Sequence, residues 1–174
     1  IFETGVIPVE PDAWIWVGDM VYMDSASVDC NTHPAHPDCS CDSSFLGGPP
    51  TQCFVGDLDH ARDKVVRFVS SPAYQGFLEY MCPNHTLRSS VVPEGSDPMQ
   101  CRNPIIGTYD DHDSGWNNGN RRMPEKHAFK ELFLDALGEP PLSQRRSMVQ
   151  GLQAQVTLNK ATPEHAIDVF LLDE

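Results

Sequence analysis

The sequence predicts a layered α/β domain, because short apolar runs typical of strands alternate with stretches of helical periodicity. Its 174 residues suffice for one domain, and a chain of this length buries roughly 70% of its unfolded surface on folding. Hydrophobic residues make up 40% of the chain, which fits a globular protein rather than a disordered one. No run of about 18 apolar residues occurs, so we expect no membrane span.

The first predicted strand covers residues 13–17, an apolar and aromatic run that ends at Gly18 and Asp19. We expect this strand to be buried and to end at a polar tip. Residues 25–56 hold four of the six cysteines together with several prolines and glycines. That composition predicts an irregular loop, long enough to need its own cross-links.

Apolar residues recur at helical spacing over residues 57–70, which predicts an amphipathic helix. A second short helix is expected from Pro72 to about Met81, and a loop over residues 82–103 follows it. Residues 105–106 begin another apolar run. This run predicts a second strand, which leads directly into a cluster of acidic residues.

An apolar stripe predicts a third helix, which begins at Pro124 and ends at Gly138. Apolar residues then alternate with polar ones over residues 152–158, and residues 167–172 form a last apolar run. Both stretches predict strands, and we expect the last one to be buried. The strands and helices therefore interleave along the whole chain, as in a layered α/β domain.

The six cysteines and the glycosylation sequon Asn84-His85-Thr86 predict a disulfide framework in a secreted or lumenal glycoprotein. Sequence alone does not choose among the possible pairings. A zinc site remains an alternative for the cysteine-rich stretch, although the spacing matches no standard finger. Its candidate ligands are Cys30, His33, His36, Cys39 and Cys41.

The formal net charge of −13 argues against nucleic acid as a partner. Proteins that bind phosphate backbones need clusters of basic residues, and the only basic pairs are Arg121-Arg122 and Arg145-Arg146. An excess of acidic residues is compatible with the binding of metal cations. It is equally compatible with an ordinary solvated surface.

Acidic residues follow two of the predicted strands at the point where each strand ends. Asp19 follows the first, and the run Asp110-Asp111-His112-Asp113 follows the second. Ligand sites in open α/β sheets lie beyond the carboxyl ends of strands, so we expect both places to meet at one sheet edge, with Asp19 substantially buried. The alternative is two ordinary polar turns on unrelated surfaces.

Residues 11–24, with their Gly-Asp-x-x-Tyr pattern, and residues 106–120, with Asp-Asp-His-Asp, resemble one family of enzymes. It is the PhoD-like (alkaline phosphatase D) branch of the calcineurin-like and purple acid phosphatase metallophosphoesterases. Residues 130–140 and 169–173 are also similar to this branch. The resemblance implies a layered α/β metallophosphoesterase fold. The family's first and last metal-ligand blocks have no counterpart, so we expect residues 1–174 to be a partial metallophosphatase domain with a cysteine-rich insertion at 25–56.

The resemblance also implies a role for each matching residue. It implies a dinuclear metal centre of Fe(III) and a divalent cation, namely Ca, Zn, Mn or Fe. His112 would be catalytic, with Asp113 and Asn117 as further neighbours of the centre. The implied metal ligands are Asp19, Tyr22, Asp110 and Asp111.

The function implied by this ligand set is the hydrolysis of small phosphate mono- or diesters by metal-bound hydroxide. We expect the chain alone to be inactive, because two ligand blocks are missing, and we expect the complete protein to be an enzyme. The alternative from a different class is a secreted, disulfide-stapled binding module that keeps a non-catalytic phosphatase half-fold. The sequence predicts no oligomeric state.

Overall fold

The computed structural model describes most of the chain, in seven parts. The predicted cysteine-rich loop, the sequon and most of the loop after the second helix lie outside the described residues, as does Asn117. The described residues are 1–24, 58–83, 101, 103–115, 125–148, 151–159 and 162–173.

Four helices and four strands are present in the described residues, together with short helical turns such as Phe2–Val6 and His112–Ser114. The order of the elements mixes the two types along the chain, so the α/β class is confirmed. The metallophosphoesterase fold itself stays a prediction. The elements are β1 (Trp14–Val17), α1 (Leu58–Val69), α2 (Pro72–Met81), β2 (Ile105–Thr108), α3 (Lys126–Leu137), α4 (Gln144–Ser147), β3 (Ala154–Leu158) and β4 (Ile167–Leu171).

The described strands form two small sheets rather than one. β1 and β2 pair in parallel, with Trp14 opposite Ile105 and Val17 opposite Thr108, so both strands end at the same edge. β3 and β4 form an antiparallel pair. Gly107 lies opposite Trp16, and a Cβ atom at Gly107 would stand 2.6 Å from the Trp16 Cβ atom. A glycine is therefore required where these two strands meet.

α1 and α2 lie where the apolar periodicity predicts them, whereas α3 begins at Lys126 rather than at Pro124, and the short α4 was not predicted. α2 begins with Pro72 as its first residue, and the side chain of Ser71 accepts a hydrogen bond from the Tyr74 N–H. α3 ends at Leu137, and Gly138 after it adopts the left-handed conformation common after the last helical turn. The Cys82–Cys101 disulfide joins the end of α2 to the segment before β2, and no cysteine in the described part of the chain is free.

The core lies between β1 and the helices, and aromatic side chains fill it. The ring of Phe2 stacks on Phe77 and meets Trp14 and Trp16 edge-on. Such aromatic pairs contribute about 0.5–1.5 kcal/mol each beyond the area that they bury. The largest fully buried side chains are Tyr74, Phe77, Phe129, Phe133, Met23, Leu78, Met81, Ile105, Leu134, Leu137 and Leu152.

Two predicted burials are wrong. In β1 the tryptophans face the core, whereas Val17 on the opposite face is 80% exposed. In β4 only Leu171 is buried, and Phe170 is 65% exposed. The physical reason is the same for both strands: side chains alternate between the two faces of a strand, and only one face of each packs against other described residues.

Two buried cations connect α4 to α3 and to the strands. Lys130 donates hydrogen bonds from its Nζ atom to the carbonyl oxygens of Arg145, Arg146 and Met148, at 3.1, 3.1 and 2.5 Å. Arg145 donates from Nη2 to the Gly107 carbonyl at 2.6 Å and from Nε to the Leu152 carbonyl at 3.1 Å. These bonds hold the end of β2 against the chain that enters β3. Within the described residues, no helix has the length and apolarity needed to cross a membrane.

The three carbonyl bonds make Lys130 a test of this packing. We predict that Lys130→Met lowers the free energy of unfolding by about 1–3 kcal/mol, because the methionine leaves buried carbonyl groups without a donor. Urea denaturation measures the change. The control is Lys126→Met, in the first turn of the same helix, which should leave stability within about 0.5 kcal/mol of the parent. Equal stability of the two variants would contradict the role of Lys130.

Candidate metal centre

The chain turns sharply as it leaves β1. Gly18 has a φ of 118° and Asp19 a φ of 54°, so both adopt conformations that most residues avoid. A Cβ atom on Gly18 would stand 2.5 Å from the Cβ atom of Asp110. The glycine therefore allows the loop after β1 to pack directly against the loop after β2.

The carboxylate of Asp113 fastens these two loops together. Its Oδ1 atom accepts a hydrogen bond from the Val21 N–H at 2.5 Å, and its Oδ2 atom accepts one from the Asp110 N–H at 3.2 Å. Asp113 is fully buried. Burial raises the pKa of this carboxyl to about 6, although the hydrogen bonds from backbone N–H groups act in the opposite direction.

The loop after β2 rests on α3. It forms one helical turn, His112–Ser114, which ends at Gly115 with a φ of 89°. The Gly115 Cα atom faces the ring of Phe129 so closely that a side chain would collide with it. The backbone N–H of Met23 also donates to the His112 carbonyl at 3.2 Å. The two loops therefore contact each other and pack together against the core.

Asp19, Asp111 and His112 converge at the shared edge of β1 and β2. One ligand atom from each residue lies within 4.8 Å of the other two. Ligand–metal bonds of about 2.0–2.2 Å place two ligands of one cation at most about 4.4 Å apart, so a small adjustment would suffice for a shared ion. The prediction that Asp19 and the acidic run after β2 meet at one sheet edge is confirmed.

Asp19 is exposed, so the expectation of a buried Asp19 is wrong. The left-handed turn at Gly18 and Asp19 carries this residue beyond the strand end, where the core no longer covers it. Asp110 is also exposed and does not belong to the converging group. Its Oδ1 atom accepts a hydrogen bond from the Asp111 N–H at 2.8 Å. A direct role of Asp110 as a metal ligand therefore has no support from this geometry.

Tyr22 turns toward the same place. Its hydroxyl donates a hydrogen bond to Oδ2 of Asp19 at 2.8 Å. This hydrogen bond, partial desolvation and the negative charges of Asp19 and Asp24 raise the pKa of the Tyr22 phenol. The side chain is thus an uncharged phenol while no cation is bound, and its service as a phenolate ligand stays a prediction.

His112 is held on two sides. Its Nδ1 atom lies 2.7 Å from Oδ2 of Asp24, and its ring stacks on Tyr22 with 4.4 Å between ring centroids. Partial burial lowers the pKa of His112, but the hydrogen bond and charge of Asp24 and the nearby charges of Asp111 and Asp19 raise it by more, so the net change is upward. Burial also raises the pKa of Asp24, against the effect of His112.

Asp24 is a residue of this site that the sequence did not reveal. It lies five positions after Asp19, at the end of the segment that carries the Gly-Asp-x-x-Tyr pattern. Its partner His112 is 88 positions away along the chain. The only available signal was an acidic residue close to Tyr22, which does not show which side chain the carboxylate faces.

Comparisons of this chain with protein-family models, with curated proteins and with solved structures found no match. The resemblance of the two sequence blocks to the PhoD-like branch therefore stays a prediction.

The double hydrogen bond of Asp113 can be tested with one substitution. We predict that Asp113→Asn lowers the free energy of unfolding by about 1–3 kcal/mol, because an amide has one acceptor oxygen and its NH2 group would face a backbone donor. Asp63→Asn, on the exposed side of α1, is the control and should change little. If thermal and urea denaturation gave the same result for both variants, Asp113 would not be what joins the loops.

The raised pKa of His112 makes the stability of the metal-free protein depend on pH. A histidine that binds its proton more tightly in the folded state stabilises the fold below its unfolded pKa of about 6.5, and this contribution is lost as the pH rises through the folded pKa. We predict that the parent exceeds His112→Gln in unfolding free energy by more at about pH 6 than at about pH 8. Urea denaturation at both pH values measures this, and a pH-independent difference would contradict it.

Proposed function

We propose that this chain carries part of the active site of a metal-dependent phosphoesterase. The observation that carries the proposal is the convergence of Asp19, Asp111 and His112 at the carboxyl ends of two parallel strands. Sites for small ligands in open α/β sheets occupy this position. The two carboxylates suit Zn, Mn or Fe as ligands, with His112 beside them, whereas soft cations prefer sulfur.

The cofactor that we propose is a dinuclear centre of Fe(III) and a divalent cation. Tyr22 supports the trivalent ion, because its hydroxyl lies 2.8 Å from Asp19 and a phenolate is a hard ligand that donates strongly. Asp19, Asp111 and Tyr22 are the candidate ligands of one cation. Bound cations supply charge that stabilises a phosphate ester as it is cleaved.

The residues of this chain would divide the remaining work. Asp19 and Asp111 bind the cation, and His112 donates a proton to the leaving oxygen of the ester. Asp24 supports this role of His112, because its carboxylate favours the protonated imidazole. The site lies at the surface, where Asp19 and Tyr22 are both exposed, so a substrate has direct access to it.

The proposed setting is a secreted or lumenal protein that acts on small phosphate esters. The Cys82–Cys101 disulfide supports an oxidising compartment. The net charge of −13 favours small substrates over nucleic acid. The second candidate, a binding module without catalysis, keeps the same site and differs only in the absence of turnover.

Cation binding is the first test of the proposal. We predict that Zn²⁺ at about 100 times its Kd stabilises the chain by about 2.7 kcal/mol. That stabilisation raises Tm by roughly 5–11 °C in a domain of this size, and EDTA should reverse it. Asp19→Asn and Asp111→Asn should each abolish most of the shift, whereas Asp12→Asn at an exposed position should keep it. Equal shifts in all four proteins would show that the cation binds elsewhere.

Phosphate chemistry is the second test. With the cation bound, we predict that orthovanadate and inorganic phosphate bind in isothermal titration calorimetry, and that binding is lost when EDTA is present or Asp111 is replaced by Asn. Hydrolysis of p-nitrophenyl phosphate and its bis ester then separates the two candidate functions. Turnover supports the enzyme, and phosphate binding without turnover supports the binding module. A cation site that binds neither anion would overturn the phosphoesterase proposal.

A further inference from the structure

The chain that leaves β4 lies beside the end of β2, next to the candidate metal centre. Thr108 donates a hydrogen bond from its Oγ1 atom to the Leu172 carbonyl at 3.0 Å. The hydroxyl of Tyr109 donates to Oδ2 of Asp173 at 3.4 Å. The second pair lies one residue further along both chains, so the two segments run in the same direction. The residues after β4 therefore contact β2 just before the turn that carries Asp111.

Asp173 connects this contact to a third segment of chain. Its Oδ2 atom also accepts a hydrogen bond from the Leu152 N–H at 2.8 Å, where the chain enters β3. Gly151 has a φ of 83°, and a Cβ atom there would stand 2.6 Å from Oδ2 of Asp173. The glycine is therefore what allows the carboxylate to approach the backbone so closely. One carboxylate oxygen thus binds both the end of β2 and the chain that enters β3.

The buried guanidinium of Arg145 belongs to the same junction. It donates to the carbonyl oxygens of Gly107 and Leu152, so both the N–H and the C=O of Leu152 are bound. The ring of Tyr109 meets Phe133 of α3 edge-on. The end of β2 is thus restrained by α3, by Arg145 and by the residues after β4, before the chain turns into the candidate metal centre.

We propose that Asp173 is a positioning residue, which fixes the end of β2 so that the following turn presents Asp111 to Asp19. It acts through Tyr109 and Leu152 rather than as a ligand of the cation. The inference rests on the proposed function for its purpose, because the exact place of Asp111 matters to activity only if Asp111 binds a cation. Its statement about geometry holds or fails in the cation-free chain.

The first test is the geometry of the turn in the cation-free chain. The ¹H–¹⁵N correlation spectrum reports the surroundings of each backbone amide. We expect Asp173→Leu and Tyr109→Phe to shift the amide signals of residues 111–115, which follow the junction. Asp168→Leu is the matched control, because Asp168 is an exposed residue of β4 that bonds Thr157 within the hairpin. It should leave the signals of residues 111–115 as they are in the parent.

The second test is the Kd for Zn²⁺, measured by isothermal titration calorimetry. We expect Asp173→Leu to raise Kd by about 10-fold, because residues that orient metal ligands control affinity without touching the ion. Tyr109→Phe should raise Kd by less, since it removes one hydroxyl and keeps the ring. Both changes remove the same contact, so the double variant should bind no more weakly than Asp173→Leu.

A conservative variant separates positioning from structural support. Asp173→Asn keeps an acceptor oxygen for both donors, so it should restore most of the Zn²⁺ affinity that Asp173→Leu loses. Tm is recorded for every variant, because a residue that is merely structural lowers Tm and leaves the affinity of the folded chain unchanged. Asp168→Leu should match the parent in Kd.

Unshifted signals of residues 111–115 in Asp173→Leu would overturn the proposal, as would shifted signals with an unchanged Kd. Equal weakening by Asp173→Leu and Asp168→Leu would also overturn it, because the effect would then belong to the hairpin as a whole. If Asp173→Leu does not fold, Tyr109→Phe supplies both readouts, and parent-like values in it would overturn the proposal. If the parent binds no Zn²⁺ while the signals shift as expected, the proposed function is wrong and the positioning role of Asp173 stands.

Discussion

The buried carboxylate of Asp113 accepts backbone hydrogen bonds from both loops of the site, and the arrangement of the other residues depends on this contact. β1 and β2 have four residues each, so their pairing alone leaves the loops beyond them free to separate. Asp113 binds Val21 in the first loop and Asp110 in its own. These hydrogen bonds hold Asp19 and Asp111, which lie far apart in sequence, within reach of one cation.

The same contact concentrates negative charge. Asp19, Asp24, Asp110, Asp111 and Asp113 lie in two short segments, and carboxylates held close together repel one another. Burial adds a further cost for Asp24 and Asp113, whose pKa values are both raised. Backbone N–H groups and the imidazole of His112 offset part of this repulsion. A bound cation would offset more of it.

Much of this arrangement follows from local sequence signals. The helices are predictable from apolar spacing and from Pro72 and Gly138 at their ends, and the rule on strand ends predicts that the two acidic places meet. Burial is less predictable, because Val17 and Phe170 belong to apolar runs that only long-range packing could cover. The exposure of Asp19 depends on a left-handed turn, and the pairing of Asp24 with His112 depends on tertiary contacts. Neither leaves a pattern in the sequence.

We propose that the loops after β1 and β2 form one cation site between Asp19 and Asp111. Anomalous diffraction from crystals of the chain soaked in MnCl₂ tests it most directly, because Mn²⁺ can be located without reference to the protein. We expect an anomalous peak with carboxylate oxygens of both residues at about 2.0–2.2 Å and His112 beside it. Mn²⁺ bound only at other acidic surfaces, with Asp19 and Asp111 free of any ion, would contradict it.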